Sequence, residues 1–248
     1  MKVSSVGNSK PPAPSLKSGA ETYSAAIGYA NNYTNWMLEE FRPYFGSCLL
    51  EIGVGHGSFR PFITLSTEYV GIDIDAESVA NAQRLYPDDR IFQCDMTDDA
   101  LVKIARACQV DTILCANVLE HVPNHALGVK KLVEALPSKG HLLLFVPAFK
   151  HLYNSLDRLA GHERRYERAD MESLIPANCD ILVSKYFNPI GGLGWWMNNL
   201  LNHGSLNAPI VNGQIEIFDK YILPLSKGLD GVTNRFFGQS LITIVRKR

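Results

Sequence analysis

Residues 49–59 read Leu-Leu-Glu-Ile-Gly-Val-Gly-His-Gly-Ser-Phe, an apolar strand that ends in an acid and turns through three glycines. Glycine at alternate positions allows positive φ angles and removes the side chains that would keep a ligand away from the backbone. A second apolar run ends in Asp73, 22 residues after Glu51. An acid at the end of the second strand of such a unit typically binds the hydroxyl groups of a ribose. The two features together predict a binding site for a nucleoside cofactor.

The spacing of the glycines distinguishes between nucleoside cofactors. The dinucleotide fingerprint is G-x-G-x-x-G, whereas Gly53, Gly55 and Gly57 follow G-x-G-x-G, and Ser58 takes the place of the third glycine. Glu51 would repel a pyrophosphate and suits a cationic or amino-bearing ligand. A glycine-rich turn without a ligand is the alternative, and the second acid weakens it. The pattern resembles motif I of the class I S-adenosylmethionine-dependent methyltransferases, which implies that these residues bind S-adenosyl-L-methionine.

Composition and charge limit the classes of function. The chain of 248 residues is 46% hydrophobic and 20% charged, as expected for a globular protein large enough for one full α/β domain. A net charge of −1 gives no electrostatic reason to expect a nucleic acid or an anionic membrane as partner. No run approaches the roughly 20 apolar residues of a membrane span, and no signal peptide is recognised. We expect a cytoplasmic protein with free thiols at Cys48, Cys94, Cys108, Cys115 and Cys179.

The order of elements predicts the fold. Residues 1–20 are expected to form a disordered tail, and residues 21–45 a helix. Short apolar runs then alternate with helix-length segments, which indicates an α/β fold with a doubly wound, mostly parallel sheet of seven strands. The resemblance adds a Rossmann-like methyltransferase fold in which the last strand inserts antiparallel beside the fifth. The runs are 48–54, 68–74, 90–95, 111–118, 141–147, 180–187 and 240–247.

A long segment interrupts the alternation before the last strand. Residues 188–238 are too many for a hairpin connection and are rich in glycine and large apolar side chains. We interpret residues 21–248 as a single methyltransferase domain and the long segment as a helical insert or lid on the substrate side. Trp195 and Trp196 could line the acceptor pocket, form a dimer contact or pack in the core, and the sequence leaves these alternatives open.

Further cofactor contacts are expected at two other places in the chain. In class I methyltransferases an acid after the third strand accepts a hydrogen bond from the adenine amino group, and the next residue packs on the ring. Asp95 and Met96 match these positions, and Ile74 directly follows the ribose acid. The alternative for Asp95 is that it caps the following helix. The N-terminal helix is expected to close over the cofactor with Tyr33 and Trp36.

The fourth strand run continues into Asn117-Val118-Leu119-Glu120-His121, which closely resembles the "NVLEH" segment of the family. The resemblance places Asn117 beside the methionine part of the cofactor. A metal site is an alternative here, because some RNA methyltransferases carry E-x-x-E-H at this place. Asn117 stands where the first Glu would be, which removes a hard anionic ligand. We therefore expect no metal and interpret His121 as a helix-start residue near the pocket.

The segment after the fifth run resembles a bacterial methyltransferase subgroup that carries "GH.RRY", here Gly161 to Tyr166, and the resemblance extends over roughly residues 30–247. A loop after the fifth strand lies at the carboxyl edge of the sheet, where ligands bind in doubly wound folds. We predict His162 and Tyr166 as catalytic residues, and His162 as proton acceptor because an imidazole with a pKa near 6.5 can take a proton at neutral pH. The alternative is a solvated turn of surface ion pairs.

These observations predict an S-adenosyl-L-methionine-dependent methyltransferase that acts on a small-molecule acceptor. The apolar insert favours a lipid-like, glycosylated or secondary-metabolite intermediate, and His162 favours transfer to oxygen over nitrogen or carbon. A non-catalytic S-adenosylmethionine-binding module stays open as the alternative. The glycine spacing disfavours a nicotinamide oxidoreductase, and the lack of an N-P-P-Y motif and of a basic face disfavours a nucleic-acid methylase. Whether the chain forms a homodimer is left open.

Overall fold

Seven strands form the frame of the protein at the positions that the apolar runs predict. The computed structural model describes residues 30–63, 67–197, 213 and 215–248. The predicted tail and the first part of the predicted N-terminal helix lie outside these residues. The strands are β1 Cys48–Ile52, β2 Glu68–Asp73, β3 Arg90–Gln93, β4 Thr112–Ala116, β5 His141–Pro147, β6 Cys179–Phe187 and β7 Ser240–Lys247.

The strand order in the sheet is β3-β2-β1-β4-β5-β7-β6. Neighbours among β1 to β5 pair in parallel, whereas β7 lies antiparallel between β5 and β6. Six strands therefore run in one direction and the last runs against them, which confirms the predicted sheet and the antiparallel insertion beside β5. The order reverses between β1 and β4, so the carboxyl ends of these two strands flank the crevice where doubly wound sheets bind ligands.

Helices connect the strands, and polar side chains cap several of their first turns. Asp98 accepts a hydrogen bond from the backbone N–H of Ala100 and Asn124 accepts one from that of Leu127, so each satisfies a donor that a helix start leaves free. Asp98, and not Asp95, is thus the cap of its helix. The described α-helices are α1 Asn31–Phe41, α2 Ala76–Leu85, α3 Asp99–Ala107, α4 His125–Ala135, α5 Ser155–Ala160, α6 Arg168–Leu174, α7 Pro189–Met197 and α8 Leu223–Thr233.

The core lies on both faces of the sheet, because successive side chains of a strand point to opposite faces. In β5, Leu142 and Leu144 belong to one buried apolar cluster, whereas Leu143 and Phe145 belong to the other. All five residues of β1 are buried, which is typical of a central parallel strand covered by helices on both sides. The apolar runs of the sequence therefore record burial on both faces.

The described part of the insert is attached to the domain by buried polar side chains. Asp219 accepts hydrogen bonds from the backbone N–H groups of Asn32 at 3.3 Å and Tyr33 at 2.7 Å, and thereby satisfies the start of α1. Asn188 follows β6 with φ 62° and donates its backbone N–H to Asp230 of α8 at 2.9 Å. The insert thus connects the N-terminal helix to the end of β6.

Two expectations from composition can be compared with the structure. The cysteines are all buried and free, as predicted. Within the described ranges, no helix combines the length and the apolar character that crossing a bilayer requires.

Replacing Gly238 by Ala should destabilise the protein, because a Cβ at this position would lie 2.5 Å from the backbone N and 2.8 Å from the carbonyl C of Phe187. Backbone cannot move aside as a side chain can, so we expect a loss of about 1–3 kcal/mol in the free energy of unfolding. Gly228→Ala is the matched control: it lies inside α8, with no described atom within 4 Å of its Cβ position, and should gain about 0.5–1 kcal/mol. Urea unfolding measures both; equal stabilities of the two variants would contradict the close approach at Gly238.

Candidate functional site

The glycine loop after β1 adopts a backbone that requires glycine. Gly53, Gly55 and Gly57 have φ angles of 75°, 49° and 72°. The first two amides of the loop are tied to β2, because Gly53 and Val54 both donate to the Ile72 carbonyl, at 2.8 and 3.1 Å. A Cβ on Gly53 would lie 2.5 Å from Val118 Cγ2, whereas one on Gly55 would meet no described atom within 4 Å. The loop therefore packs closely against the end of β4 and leaves open space at Gly55.

Asp73 joins the end of β2 to this loop. Its Oδ2 accepts a hydrogen bond from the Gly55 N–H at 2.8 Å, and its Oδ1 accepts one from the Asp75 N–H at 2.9 Å. A carboxylate oxygen can accept more than one hydrogen bond, so both oxygens keep acceptor capacity for a ligand. The two acids that the sequence singles out are thus brought to one crevice, with Asp73 partly exposed and Glu51 buried.

Glu51 is an acid held in an apolar place. Its side chain is 2% exposed and its Oε2 accepts a hydrogen bond from the Tyr69 hydroxyl at 2.8 Å. Burial raises the pKa of Glu51 to about 8; the Tyr69 hydrogen bond lowers it and the nearby Asp73 raises it further. A cationic ligand would offset the cost of ionising this carboxyl, whereas a phosphate would increase it.

Residues at the carboxyl ends of three strands have positive φ angles, although they are not glycine. Asn117 follows β4 with φ 54°, Phe149 lies shortly after β5 with φ 63°, and Asn188 follows β6. Such conformations are uncommon outside glycine and cluster at functional sites. Asn117 is exposed at the crevice edge. These three positions lie at the edge of the sheet where the glycine loop is found, whereas Gln109 and Lys139, which also have positive φ angles, lie ahead of β4 and β5.

The other residues predicted to contact the cofactor differ in their exposure to solvent. Ile74 is 51% exposed at the end of β2, and Asp95 is exposed with its Oδ1 accepting from the Thr97 N–H at 2.8 Å. Met96 is 4% exposed and belongs to the core. In the described conformation Met96 therefore has little surface to offer to an adenine ring.

The aromatic pair of α1 packs on β6. Trp36 is 3% exposed, and its ring centroid lies 4.0 Å from that of Phe187. Tyr33 is half-buried 5.9 Å from the same ring, and burial raises the pKa of its hydroxyl to about 12 despite hydrogen bonds with Ser240 and Asn188. This placement favours a packing role for Trp36 and leaves Tyr33 nearer the surface.

A buried carboxylate organises the loop after β5. Asp157 is fully buried, and Arg165 Nε donates to its two oxygens at 2.9 and 3.0 Å. His162 Nδ1 lies 2.7 Å from Asp157 Oδ1, and Trp195 Nε1 donates to Oδ2 at 3.3 Å. Burial raises the pKa of Asp157, but the hydrogen bond from His162 and the charge of Arg165 outweigh it and hold the pKa below its usual range. The solvated turn considered as the alternative is therefore wrong for this part of the loop.

The two tryptophans of the insert have different surroundings. Trp195 is half-buried, and its ring lies 4.9 Å from the Arg165 guanidinium, in the range of a cation–π contact. Trp196 is 49% exposed. Helix α7 thus brings Trp195 to the loop after β5, and this contact could not be read from the sequence.

A group of ligand-type atoms gathers where this loop meets the turn after β4. Glu120, His121 and His162 each place one ligand atom within 4.8 Å of the others. The His121 and His162 rings are 4.9 Å apart, and burial lowers the pKa of His121. The E-x-x-E-H pattern would take its third ligand from position 117, where this chain has Asn, so the sequence predicts no metal. The structure supplies a third ligand-type atom from His162, 41 residues after His121. The Gly-His pair of the GH.RRY motif is the sequence feature that could have pointed to His162 as a ligand.

Tyr166 lies beneath this group and not in an open pocket. It is 1% exposed, its hydroxyl donates to the Leu119 carbonyl at 3.1 Å, and His125 Nδ1 lies 3.0 Å from the same oxygen. Burial raises the pKa of this phenol well above its usual value. The prediction of a catalytic role for Tyr166 is corrected accordingly. Its hydroxyl is engaged by the Leu119 carbonyl and by His125, and the side chain is buried, so Tyr166 has a packing role.

Comparison with known proteins agrees with this geometry. A family model described as a methyltransferase domain matches residues 50–142, which contain the glycine loop, both acids and the turn after β4. The match therefore assigns a methyltransferase domain to this part of the chain. The match implies use of S-adenosylmethionine by this methyltransferase domain. A comparison with curated proteins finds no match.

Solved structures share the fold of the methyltransferase domain at low sequence identity. An S-adenosylmethionine-dependent methyltransferase from Anabaena variabilis ATCC 29413 has a TM-score of 0.58 and 14% identity over 91% of this chain and 96% of that chain. One from Archaeoglobus fulgidus has a TM-score of 0.51 and 12% identity over 88% and 94%. The [4+2]-cyclase SpnF has a TM-score of 0.57 and 15% identity over 88% and 80%.

Replacing Glu51 by Gln should remove a pH dependence of stability. Between pH 4.5 and pH 8 the unfolded chain loses the Glu51 proton while the folded domain keeps it, because the pKa rises from 4.5 to about 8 on folding. The unfolded state then binds fewer protons, so the free energy of unfolding of the wild type falls with pH, by at most about 1.4 kcal/mol per pH unit. Glu51→Gln should flatten this profile and gain stability relative to the wild type at the alkaline end. Urea unfolding across that range measures it; a pH-independent difference would contradict the raised pKa.

Proposed function

We propose that the protein transfers the methyl group of S-adenosyl-L-methionine to an oxygen of a small-molecule acceptor. The observation that carries this proposal is the crevice between β1 and β4, where the glycine loop is bonded to Asp73 and the buried acid Glu51 lies behind it. Its acids suit an adenosyl sulfonium better than a dinucleotide, because carboxylates attract the positive charge of a sulfonium and repel a pyrophosphate.

The residues fit the cofactor in the following proposed roles. Asp73 would accept hydrogen bonds from the ribose hydroxyls, and the open space at Gly55 would admit the ligand to the backbone. Glu51 would offset the positive charge of the amino-bearing part. The proposed cofactor contacts also include Tyr33, Gly53, Gly57, Ile74, Asp95 and Asn117, whereas Trp36 and Met96, which the sequence also suggested, lie in the core.

The protein contributes to the reaction mainly by aligning the reactants, because the cofactor itself supplies the reactive group. When bound, the cofactor supplies an electrophilic methyl group on a sulfonium. The chain would hold the acceptor oxygen in line with that methyl group and exclude water, which accounts for several kcal/mol of barrier lowering. His162 would serve the acceptor side, since Nδ1 is engaged by Asp157 and Nε2 is the nitrogen left to act.

The insert supports an acceptor with apolar surface. Trp195 of α7 lies against Arg165 at the proposed acceptor side, and Leu193, Trp196 and Met197 are about half exposed nearby on the same helix. Exposed apolar groups in one place mark binding surfaces. We therefore propose a lipid-like, glycosylated or secondary-metabolite intermediate as acceptor. The cytoplasmic location and the homodimer stay predictions.

A second candidate is a protein that binds S-adenosylmethionine without transferring its methyl group. The [4+2]-cyclase SpnF has this fold and is named for another reaction, so the fold is compatible with functions other than methyl transfer. The two candidates differ in turnover and not in cofactor affinity.

Methyl-labelled S-adenosylmethionine incubated with the protein and a cell extract from its source tests the proposal. A labelled small molecule whose label is on oxygen is the expected product. Calorimetry with S-adenosylhomocysteine and with NAD(P) forms the parallel measurement. Binding without a labelled product would favour the second candidate, and tight NAD(P) binding would overturn both.

Asp73→Ala should weaken the binding of S-adenosylhomocysteine by about 1–3 kcal/mol, because hydrogen bonds from the ribose to a charged acceptor are lost. Asp75→Ala is the matched control two residues away. Asp75 caps α2 by accepting from the Ser78 N–H at 2.9 Å, so its loss should cost about 0.5–2 kcal/mol of stability and leave affinity unchanged. Calorimetry and thermal unfolding separate the two effects. Equal affinities of the two variants would contradict the ribose role of Asp73.

A further inference from the structure

The group formed by Glu120, His121 and His162 contains none of the residues that are proposed to contact the cofactor. Glu120 and His121 lie in the single turn Leu119–His121 after β4, and His162 comes from the loop after α5. The backbone fixes this junction, because the Glu163 N–H donates to the Glu120 carbonyl at 3.0 Å. Three ligand-type atoms within 4.8 Å of one another therefore belong to a rigid arrangement.

Hydrogen bonds fix the tautomers of both imidazoles. His121 Nδ1 lies 3.2 Å from the Gly161 carbonyl oxygen, and a carbonyl can only accept, so this nitrogen carries the proton. His162 Nδ1 faces an Asp157 carboxylate that already accepts from Arg165, so it too is the donor. In the neutral form, each ring then has Nε2 as its unprotonated nitrogen. This is how ligating histidines are oriented in metal sites, with the second nitrogen donating to a carboxylate or a backbone carbonyl.

Glu120 is a buried acid whose side-chain oxygens accept no hydrogen bond from the described residues. It is fully buried, and neither of its side-chain oxygens has a hydrogen-bond partner among the described residues. His162 Nε2 lies 3.8 Å from Glu120 Oε1, too far for a hydrogen bond. Arg165 is an electrostatic neighbour of Glu120 but donates no hydrogen bond to it; its Nε donates to Asp157 and one terminal nitrogen donates to the Ala148 carbonyl. A buried carboxyl group that accepts no hydrogen bond is costly, and a bound cation would offset this cost.

We propose that Glu120, His121 and His162 bind a divalent cation. Two imidazole nitrogens and one carboxylate are the donor set of catalytic zinc sites and of other first-row transition-metal sites, whereas Mg²⁺ and Ca²⁺ prefer oxygen ligands. Three protein ligands leave room for a water or an acceptor oxygen. We use Zn²⁺ as the ion with which binding to this site is tested. Asp157 and the Gly161 carbonyl orient the two rings from behind.

Metal binding does not depend on the proposed methyl transfer. A role of the metal in the reaction, however, rests on that proposed function. A coordinated Nε2 cannot take a proton from the acceptor. His162 would then act as a ligand, and an acceptor oxygen bound to the cation would have its pKa lowered by the cation's charge. This replaces direct proton acceptance by His162 and keeps the residue on the acceptor side.

The test is Zn²⁺ binding to the full chain after removal of metal with a chelator, measured by calorimetry. Co²⁺ provides the spectroscopic signature, since nitrogen ligation in a site of low coordination number gives intense visible absorption. We expect one site. Glu120→Gln has the same shape without the charge and should weaken Zn²⁺ binding at least about 100-fold, given that even indirect partners of metal ligands account for 10–100-fold.

Two controls distinguish the outcomes. His151→Ala removes an exposed imidazole outside the group and should leave Zn²⁺ affinity and the Co²⁺ spectrum unchanged. S-adenosylhomocysteine binding by Glu120→Gln should match the wild type, which reports an intact domain separately from the metal. Wild type without stoichiometric Zn²⁺ binding, or Glu120→Gln with wild-type Zn²⁺ affinity, overturns the site; neither result affects the cofactor proposal.

Discussion

The hydrogen bonds that Asp73 accepts are the constraint on which the site depends. One of them ties the glycine loop after β1 to the end of β2, and the other holds the backbone that leads into α2. Gly53 can then approach the end of β4 so closely that a Cβ would collide with Val118. The crevice between β1 and β4 is thus shaped by backbone before any ligand enters, which is the preorganisation that binding sites require.

Buried charge organises the opposite side of the site in a similar way. Asp157 accepts from Arg165, His162 and Trp195, which belong to the loop after β5 and to α7. Breaking such a buried pair is costly, so these groups hold one arrangement. Glu120 lies next to this network, and neither of its oxygens accepts a hydrogen bond in the part of the chain that the structure describes. The contrast between a saturated carboxylate and an unsaturated one is what points to a ligand at the second.

Much of the fold could be predicted because burial on both faces leaves continuous apolar runs. All seven runs became strands within about two residues, and the long insert appeared where the spacing exceeded a hairpin. Trp36 and Met96 show the opposite case. Their positions match contacts known for the family, but their side chains lie in the core, because the sequence cannot tell which face of an element a large side chain turns to.

The sequence by itself determined the elements, their class and the cofactor crevice, since strand periodicity and glycine spacing are local properties of the chain. Tertiary structure alone decided which distant groups meet. It brought His162 to Glu120 and His121, placed Trp195 on Arg165, and buried the Tyr166 that the motif had marked for catalysis. Those contacts depend on how the loop after β5 and the insert fold over the end of β4. A local sequence pattern does not indicate which segments far apart in the chain come close together in the folded protein.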